Sequence, residues 1–301
     1  MKPDALPYEK AGERTTHSKF GDVITLAKVR VNALVVATTA GGYYMGATGE
    51  VDMVRLAVAS IGTALVASGA AALNQISERD TDKLMNRTRL RPLADGRMSV
   101  AEGRAVAYGL SLAGLTLLWA GTNLAAMLVA LATLVIYALV YTPLKRRTSL
   151  STVIGAVPGA LPPLIGWAAA RGDIGAIAPW TLFTIMFLWQ LPHFLAIAWI
   201  YREDYARAGL PMLTVVDKHG GFTGRQTALW AASLVPFSVL PYLVGMADAR
   251  YAVGALILGV MQLVMALRFA AHRSEVNARG LFYASITYLP LLWVLLGFGK
   301  R

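Results

Sequence analysis

Residues Asn74–Ser99 read NQISERDTDKLMNRTRLRPLADGRMS, a polar, heavily charged segment set between long apolar runs. Asn74, Glu78 and Asp82 recur every four residues, which on a helix stacks three oxygen-bearing side chains on one face. Arg87 and Arg91 repeat the spacing with the opposite sign. Pro92 is then expected to stop the helix, because the residue before a proline avoids the helical region. Hard oxygen ligands suit Mg²⁺, which takes one or two carboxylates plus substrate phosphates. Guanidinium groups suit the remaining phosphate oxygens. The segment therefore reads either as a Mg²⁺–diphosphate site at the mouth of a membrane bundle or as an ordinary charged loop with Asn and Asp as caps.

Outward from that segment the chain is apolar. Of its 301 residues 56% are hydrophobic and 15% charged, against about 25% charged in soluble domains. Several runs reach the roughly 20 residues that cross a bilayer, and their lengths fit helices better than barrel strands. The expected fold is all-α: a polytopic membrane bundle of about nine transmembrane helices. The spans lie near 23–44, 53–77, 104–121, 123–141, 150–170, 178–199, 227–246, 252–270 and 280–298, the third and fourth forming a tight hairpin around Gly121–Asn123. No linker divides the chain, so residues 1–301 are expected to form one domain, with 1–22 as a polar N-terminal tail. That tail lacks an apolar signal-peptide core. Cysteine is absent, which excludes disulfides, thiolate metal sites, thiol catalysis and covalent haem attachment.

Orientation follows from Lys and Arg. With a cytoplasmic N-terminus, 23 of the 28 basic residues fall on that side, leaving Arg55, Arg171, Arg250, Lys300 and Arg301 opposite. The net charge of +11 is thus a topology signal and implies no nucleic-acid partner. Every charged loop of note then lies on one membrane face.

A second such loop, Leu191–Gly221, reads LPHFLAIAWIYREDYARAGLPMLTVVDKHGG. It echoes the first in position and composition, a hint of two pseudo-equivalent half-sites. Asp204 suits a second Mg²⁺ and Arg202 a phosphate; the alternative is an interfacial ion pair worth little at a wet surface. His193, on the apolar run before the loop, reads as a satisfied core residue or as a functional one: a substrate contact, a base or a haem ligand. In YTPLKRRT, Tyr141–Thr148, Pro143 ends a helix and Lys145, Arg146 and Arg147 follow. Lys145 or Arg146 can reach a diphosphate between the two acidic loops, and a plain positive-inside anchor is the other reading, the one favoured for Arg147. The Gly- and Pro-rich stretch Val153–Trp167 suits either a broken helix lining an apolar cavity or close packing by small residues.

Taken together these pieces resemble the intramembrane, UbiA-type prenyltransferase superfamily, whose first acidic motif NxxxDxxxD appears here as Asn74, Glu78 and Asp82. Within it the chain looks like the haem O synthase (protoheme IX farnesyltransferase) branch. The matching residues are NQ-xx-E-xxx-D-xx-M-x-RT-xx-RPL from Asn74 with a following Gly96–Arg97, then YTPLKR, AVPGALPPLIGW and PHFLAIAWIYREDYARAGLPML, ending at Leu213. The chain departs in AVPGALPPLIGW and in Thr214 where proline is more usual, and its second motif lacks paired Asp spacing.

The resemblance implies transfer of a farnesyl group from farnesyl diphosphate to the vinyl group of haem b, giving haem O. It implies Mg²⁺ on Asn74, Glu78 and Asp82, with Asp204 for a second ion. Arg87, Arg91, Lys145, Arg146 and Arg202 become diphosphate contacts, and His193 and Tyr141 haem or base positions. The partners implied are farnesyl diphosphate, haem b, the lipid bilayer and, downstream, haem A synthase or a terminal oxidase, at a bacterial inner membrane. A transporter would place its ionisable groups near the midplane, whereas here they gather at one interface. The RT-xx-RPL and PHF…YREDY sets disfavour an aromatic acceptor such as 4-hydroxybenzoate.

Overall fold

The computed structural model describes residues 18–301, apart from the Arg30 side chain. Most of the polar tail, residues 1–17, lies outside the described residues. Residues 19–22 are not tail: α1 (Lys19–Ala27) begins there, capped by the Ser18 side chain, which accepts from Gly21 N. Its Asp22 is buried and pairs with Arg97 at 3.1 Å. The first expected span is broken. Lys28 adopts left-handed backbone (φ 50°, ψ 44°), and α2 (Val29–Gly46) leaves at 51° to α1. Asn32 holds the break: its Nδ2 donates to Ala27 O at 2.8 Å and to Ser68 Oγ at 3.0 Å.

α3 (Met53–Asp82) is one helix of 30 residues. At ~1.5 Å per residue it measures about 45 Å, against a hydrocarbon core of about 30 Å, so its last turns stand at the membrane surface. α4 (Val100–Gly121) starts with a capping box between Ser99 and Glu102 and lies close against α3. A Cβ at Gly69 would sit 2.1 Å from Ser111 Oγ, and one at Gly114 2.6 Å from Gly62 O, so only glycine allows this approach. The helical expectation fails between them. α3 ends at Asp82, not at Pro92, and residues 83–98 form successive turns. At the helix end the Asp82 carbonyl accepts from Met85 N at 3.2 Å and from the Thr88 hydroxyl at 3.0 Å. Arg87 and Arg91 therefore do not continue the helical face.

α5 (Leu124–Val135) opens after the expected hairpin, capped by Asn123, whose Nδ2 reaches Ala168 O at 2.8 Å. It passes into a π-helical segment (Ile136–Tyr141) and then α6 (Thr142–Leu144). α7 (Ser151–Ala160) and α8 (Pro162–Arg171) are two halves of one span interrupted at Leu161. Pro158, Pro162 and Pro163 bring no N–H, so the carbonyls four residues before them lack their helical partners. α9 (Ile177–Ile200) follows, then the short surface helices α10 (Arg202–Arg207) and α11 (Leu213–Val216). Thr214, a departure from the proline more usual in the resembled branch, donates its hydroxyl to Ala198 O at 2.9 Å and ties this loop back to α9.

α12 (Gly221–Ser238), α13 (Leu240–Leu243), α14 (Ala249–Ala271) and α15 (Glu275–Phe298) complete the bundle. Leu182, Ile185 and Trp189 of α9 form a core with Leu234, Tyr251, Tyr288 and Leu292. A second core joins Ala59 and Val66 of α3 to Leu118, Val129, Leu164 and Ile165. Outward-facing Leu112, Leu139, Leu243 and Ile257 are exposed, the apolar surface a lipid-embedded bundle presents.

Among the described residues 6 helices are long and apolar enough to cross a membrane, and up to 7 with the bent α1–α2 pair. The nine expected spans each coincide with a helical segment, but α4 and α12 are not among the helices that qualify, so the count of nine is not confirmed.

Candidate active site

The end of α3 carries the acidic face. Glu78 and Asp82 are 3% and 1% exposed, and Asn74 one turn below is also buried. Charges so deeply removed from water persist only when paired. Lys145 Nζ lies 2.9 Å from Glu78 Oε1. Arg91 folds back from the loop, its Nη1 2.7 Å from Asp82 Oδ2, 2.9 Å from Asp82 Oδ1 and 4.0 Å from Glu78 Oε2. Burial works against the Lys145 ammonium, but the Tyr141 and Glu78 oxygens outweigh it and raise its pKa. It stays charged at neutral pH.

The π-helical segment aims the polar groups beside this lattice. Its wider turn lets Thr142 N and Thr142 Oγ1 both donate to Tyr137 O, the hydroxyl at 2.8 Å. With its proton committed, the Thr142 hydroxyl can only accept from Asn74 Nδ2, 3.3 Å away. That fixes the Asn74 amide and turns its Oδ1 to the other side.

Below the lattice lies a cavity of about 350 Å³, lined by α2, α3, α5, the π-helical segment, α7, α8 and α9. Its wall is mostly apolar: Val31, Val35, Val66, Ala67, Ala70, Ala71, and the broken span's Gly155, Pro158, Gly159 and Pro162. Tyr141 and Lys145 line it at the mouth, with Tyr205 from α10. Gly155 and Gly159 keep the wall thin, since a Cβ would meet the Tyr141 ring at 2.6 Å and Gln190 Oε1 at 2.0 Å.

Lys28 also lines the cavity, in the field of Arg91, Glu78, Lys145 and Asp82. It was not anticipated. A lysine inside an apolar run reads as a helix-end anchor, and the left-handed turn that swings it inward leaves no mark in the sequence. Lys28, Arg91 and Lys145 outnumber the carboxylates Glu78 and Asp82, so the mouth carries net positive charge and suits an anion.

Other expected residues are placed elsewhere. Asp204 accepts from the Arg87 backbone N at 3.3 Å and pairs with Arg207. It staples the first acidic loop to the second, and does not join Glu78 and Asp82: among the described residues no three His, Asp or Glu side chains form a metal-binding group. Arg87 lies over the Tyr201 ring at 5.2 Å, and Arg202 over Trp199 at 4.5 Å. Like Asn74, Glu78, Asp82 and Arg91, they and the exposed Arg146 do not line the cavity itself, and none of the three meets Glu78 or Asp82 in an ion pair.

His193 likewise is not among the lining residues. Its ring stacks on Trp189 and Phe282, with centroids 5.1 and 5.2 Å away. Its Nδ1 is 2.7 Å from Ser285 Oγ, whose own proton goes to Phe282 O. Nδ1 is therefore the protonated nitrogen and Nε2 an acceptor.

The donor set at the mouth fits Mg²⁺. Asn74, Glu78 and Asp82 present hard oxygens one helical turn apart, and Mg²⁺ commonly takes only one or two protein carboxylates, completing its octahedron with water and substrate phosphates.

Comparison with known proteins points the same way. A family model described as the UbiA prenyltransferase family matches residues 34–295. A protoheme IX farnesyltransferase of Solibacter usitatus (strain Ellin6076) is 46% identical over 286 residues, covering 91% of this chain and 97% of that protein. One of Koribacter versatilis (strain Ellin345) is 41% identical, covering 93% of each. Among solved structures, one concerning digeranylgeranylglyceryl phosphate synthase in membranes aligns with TM-score 0.78 at 16% identity, covering 93% of this chain and 98% of that one. A UbiA homolog from Archaeoglobus fulgidus bound to GPP and Mg²⁺ aligns with TM-score 0.63 at 16% identity, covering 91% and 99%. At such identities the structural likeness shows the fold alone.

Proposed function

The chain belongs to the UbiA prenyltransferase family, and from that premise we propose that it transfers a farnesyl group from farnesyl diphosphate to a vinyl group of haem b, giving haem O and diphosphate. It is a multi-pass membrane protein and a prenyltransferase. What supports the reaction most directly is the pairing of a cation-rich, carboxylate-bearing mouth with an apolar cavity beneath it. That pairing suits a ligand with an anionic head and a hydrocarbon tail. The acceptor is carried by the relatives that bear the name protoheme IX farnesyltransferase.

In this reading the tail enters the cavity and the diphosphate meets Lys145, Arg91 and Lys28. Glu78 and Asp82, with the Asn74 carbonyl oxygen, are the residues that would hold Mg²⁺. The metal, when bound, supplies charge that neutralises the leaving diphosphate. Before the substrate arrives Lys145 and Arg91 keep the two carboxylates paired, so the site is charged yet stable without its ligands. As the bond from C1 to oxygen breaks, its electron pair leaves with the diphosphate and the cations stabilise the growing charge. The vinyl group attacks the allylic cation, a carbon–carbon bond forms, and water captures the new cation beside the porphyrin with loss of a proton. The apolar wall keeps bulk water from quenching the first cation.

Asp204 in this reading positions the loop that presents Arg91, and His193 packs α9 on α15. The orientation places both acidic loops in the cytoplasm of a bacterial inner membrane and the C-terminus opposite, with residues 1–301 as a single domain.

The test is to incubate membranes containing the protein with haem b and farnesyl diphosphate and seek haem O by mass spectrometry. Product should form, stop with EDTA and return with Mg²⁺. No haem O from an accumulated protein would overturn the reading.

A further inference from the structure

The cavity has a floor, and its distance from the charged mouth is set by one element. α3 is unbroken from Met53 to Asp82, so axial distances follow from its rise. Descending from Glu78 and Asn74, its cavity-lining residues are Ala71 and Ala70, then Ala67 and Val66, and last Thr63. Fifteen positions separate Glu78 from Thr63, which makes roughly 22 Å at ~1.5 Å each. Val35, Thr133 and Ile165 line the cavity with Thr63 from the neighbouring helices.

This floor is buried at Thr63 and Ile165 and half-buried at Val35 and Thr133. Thr63 and Ile165 are 2% and 1% exposed. The Thr63 hydroxyl donates to Ala59 O at 2.7 Å, and that of Thr133 to Val129 O at 2.8 Å. Both hydroxyl protons are committed to their own helices, so no free donor awaits a polar end group.

An extended isoprene unit adds four carbon–carbon bonds, about 5 Å along the chain. Three units measure about 15 Å and four about 20 Å. An extended diphosphate head, from C1 to its far oxygens, adds roughly 7 Å by the same bond-length count, so head and three units measure about 22 Å and head and four units about 27 Å. Three units reach the floor, and a fourth overruns it.

We propose that Thr63, with Ile165 beside it, is the residue that sets prenyl chain length, selecting a 15-carbon tail. The proposal rests on the reading of this cavity as the prenyl site, and not on the identity of the acceptor.

The experiment measures displacement of tritiated farnesyl diphosphate from the purified full chain in detergent with Mg²⁺, using geranyl, farnesyl and geranylgeranyl diphosphates as competitors. The wild-type protein should bind the 20-carbon compound at least tenfold more weakly than the 15-carbon one. Thr63→Phe should weaken farnesyl diphosphate at least tenfold and leave geranyl diphosphate within about twofold. Thr63→Leu should fall between, and serves if the larger ring prevents accumulation. Equal affinity of the wild-type protein for 15- and 20-carbon diphosphates overturns the proposal, as does a variant that weakens all three alike. A normal displacement series without haem O formation would instead remove the acceptor and leave the floor standing.

Discussion

Replacing Lys28 by glycine should cost activity without costing stability. Lys28 is the one non-glycine residue with positive φ among the described residues. Left-handed backbone in such a residue is disfavoured by roughly 1–2 kcal/mol, and glycine removes that strain. The change also removes a cation from the field of Arg91 and Lys145. Stability should therefore hold or rise by about 1 kcal/mol. What is lost is a charge-assisted contact to the diphosphate, about 1.5–3 kcal/mol, or about 10- to 150-fold in kcat/KM for farnesyl diphosphate. Lys28→Met keeps the strained backbone and removes the same charge, so it should lose as much activity and gain less stability than glycine. The assay pairs haem O formation against farnesyl diphosphate concentration with thermal stability in detergent by fluorescence-detected size exclusion. If Lys28→Gly keeps kcat/KM within twofold of wild type, the lysine is no diphosphate contact. If it melts well below wild type, the Lys28 backbone holds no strain that glycine relieves.

Four further outcomes are expected. Asp82→Asn keeps an acceptor for Arg91 but loses the charge, and turnover should fall at least 10³-fold, about 4 kcal/mol, with protein still present in membranes by immunoblot. Asp204→Asn should loosen residues 83–98, seen as faster limited proteolysis there, while activity drops only about tenfold; a loss matching that of Asp82→Asn would return Asp204 to the metal. His193→Phe preserves the aromatic stack, so activity should stay within about fivefold; a hundredfold loss in a normally accumulated variant would give the histidine a chemical role. A cysteine placed at Ser99 should react with an impermeant maleimide from the cytoplasmic side alone, and labelling from the periplasm would invert the orientation.

Much of this protein was written in local pattern. The apolar runs specify a helical bundle, because a chain in lipid must close its own backbone hydrogen bonds. The four-residue recurrence of Asn74, Glu78 and Asp82 placed them together on one helix face, since that geometry depends on neither partner nor fold. The prolines of Val153–Trp167 left a broken span and close packing both open, and the structure breaks the helix at Leu161, with Pro158, Gly159 and Pro162 lining the cavity.

What only the tertiary structure decided is which cations meet those carboxylates. α3 ends at Asp82, where the Thr88 hydroxyl reaches the Asp82 carbonyl from six residues on and Arg91 pairs with the Asp82 carboxylate from nine residues on. Asp204 bonds the Arg87 backbone, Arg202 lies over Trp199 and His193 meets Ser285, so the partners of equally plausible side chains are set by neighbours distant in sequence. Lys28 arrives by a backbone reversal that no periodicity announces. Helical spacing is a short-range property and can be read from residue types. Where a long side chain ends up depends on competition among partners distant in sequence, and packing alone resolves it.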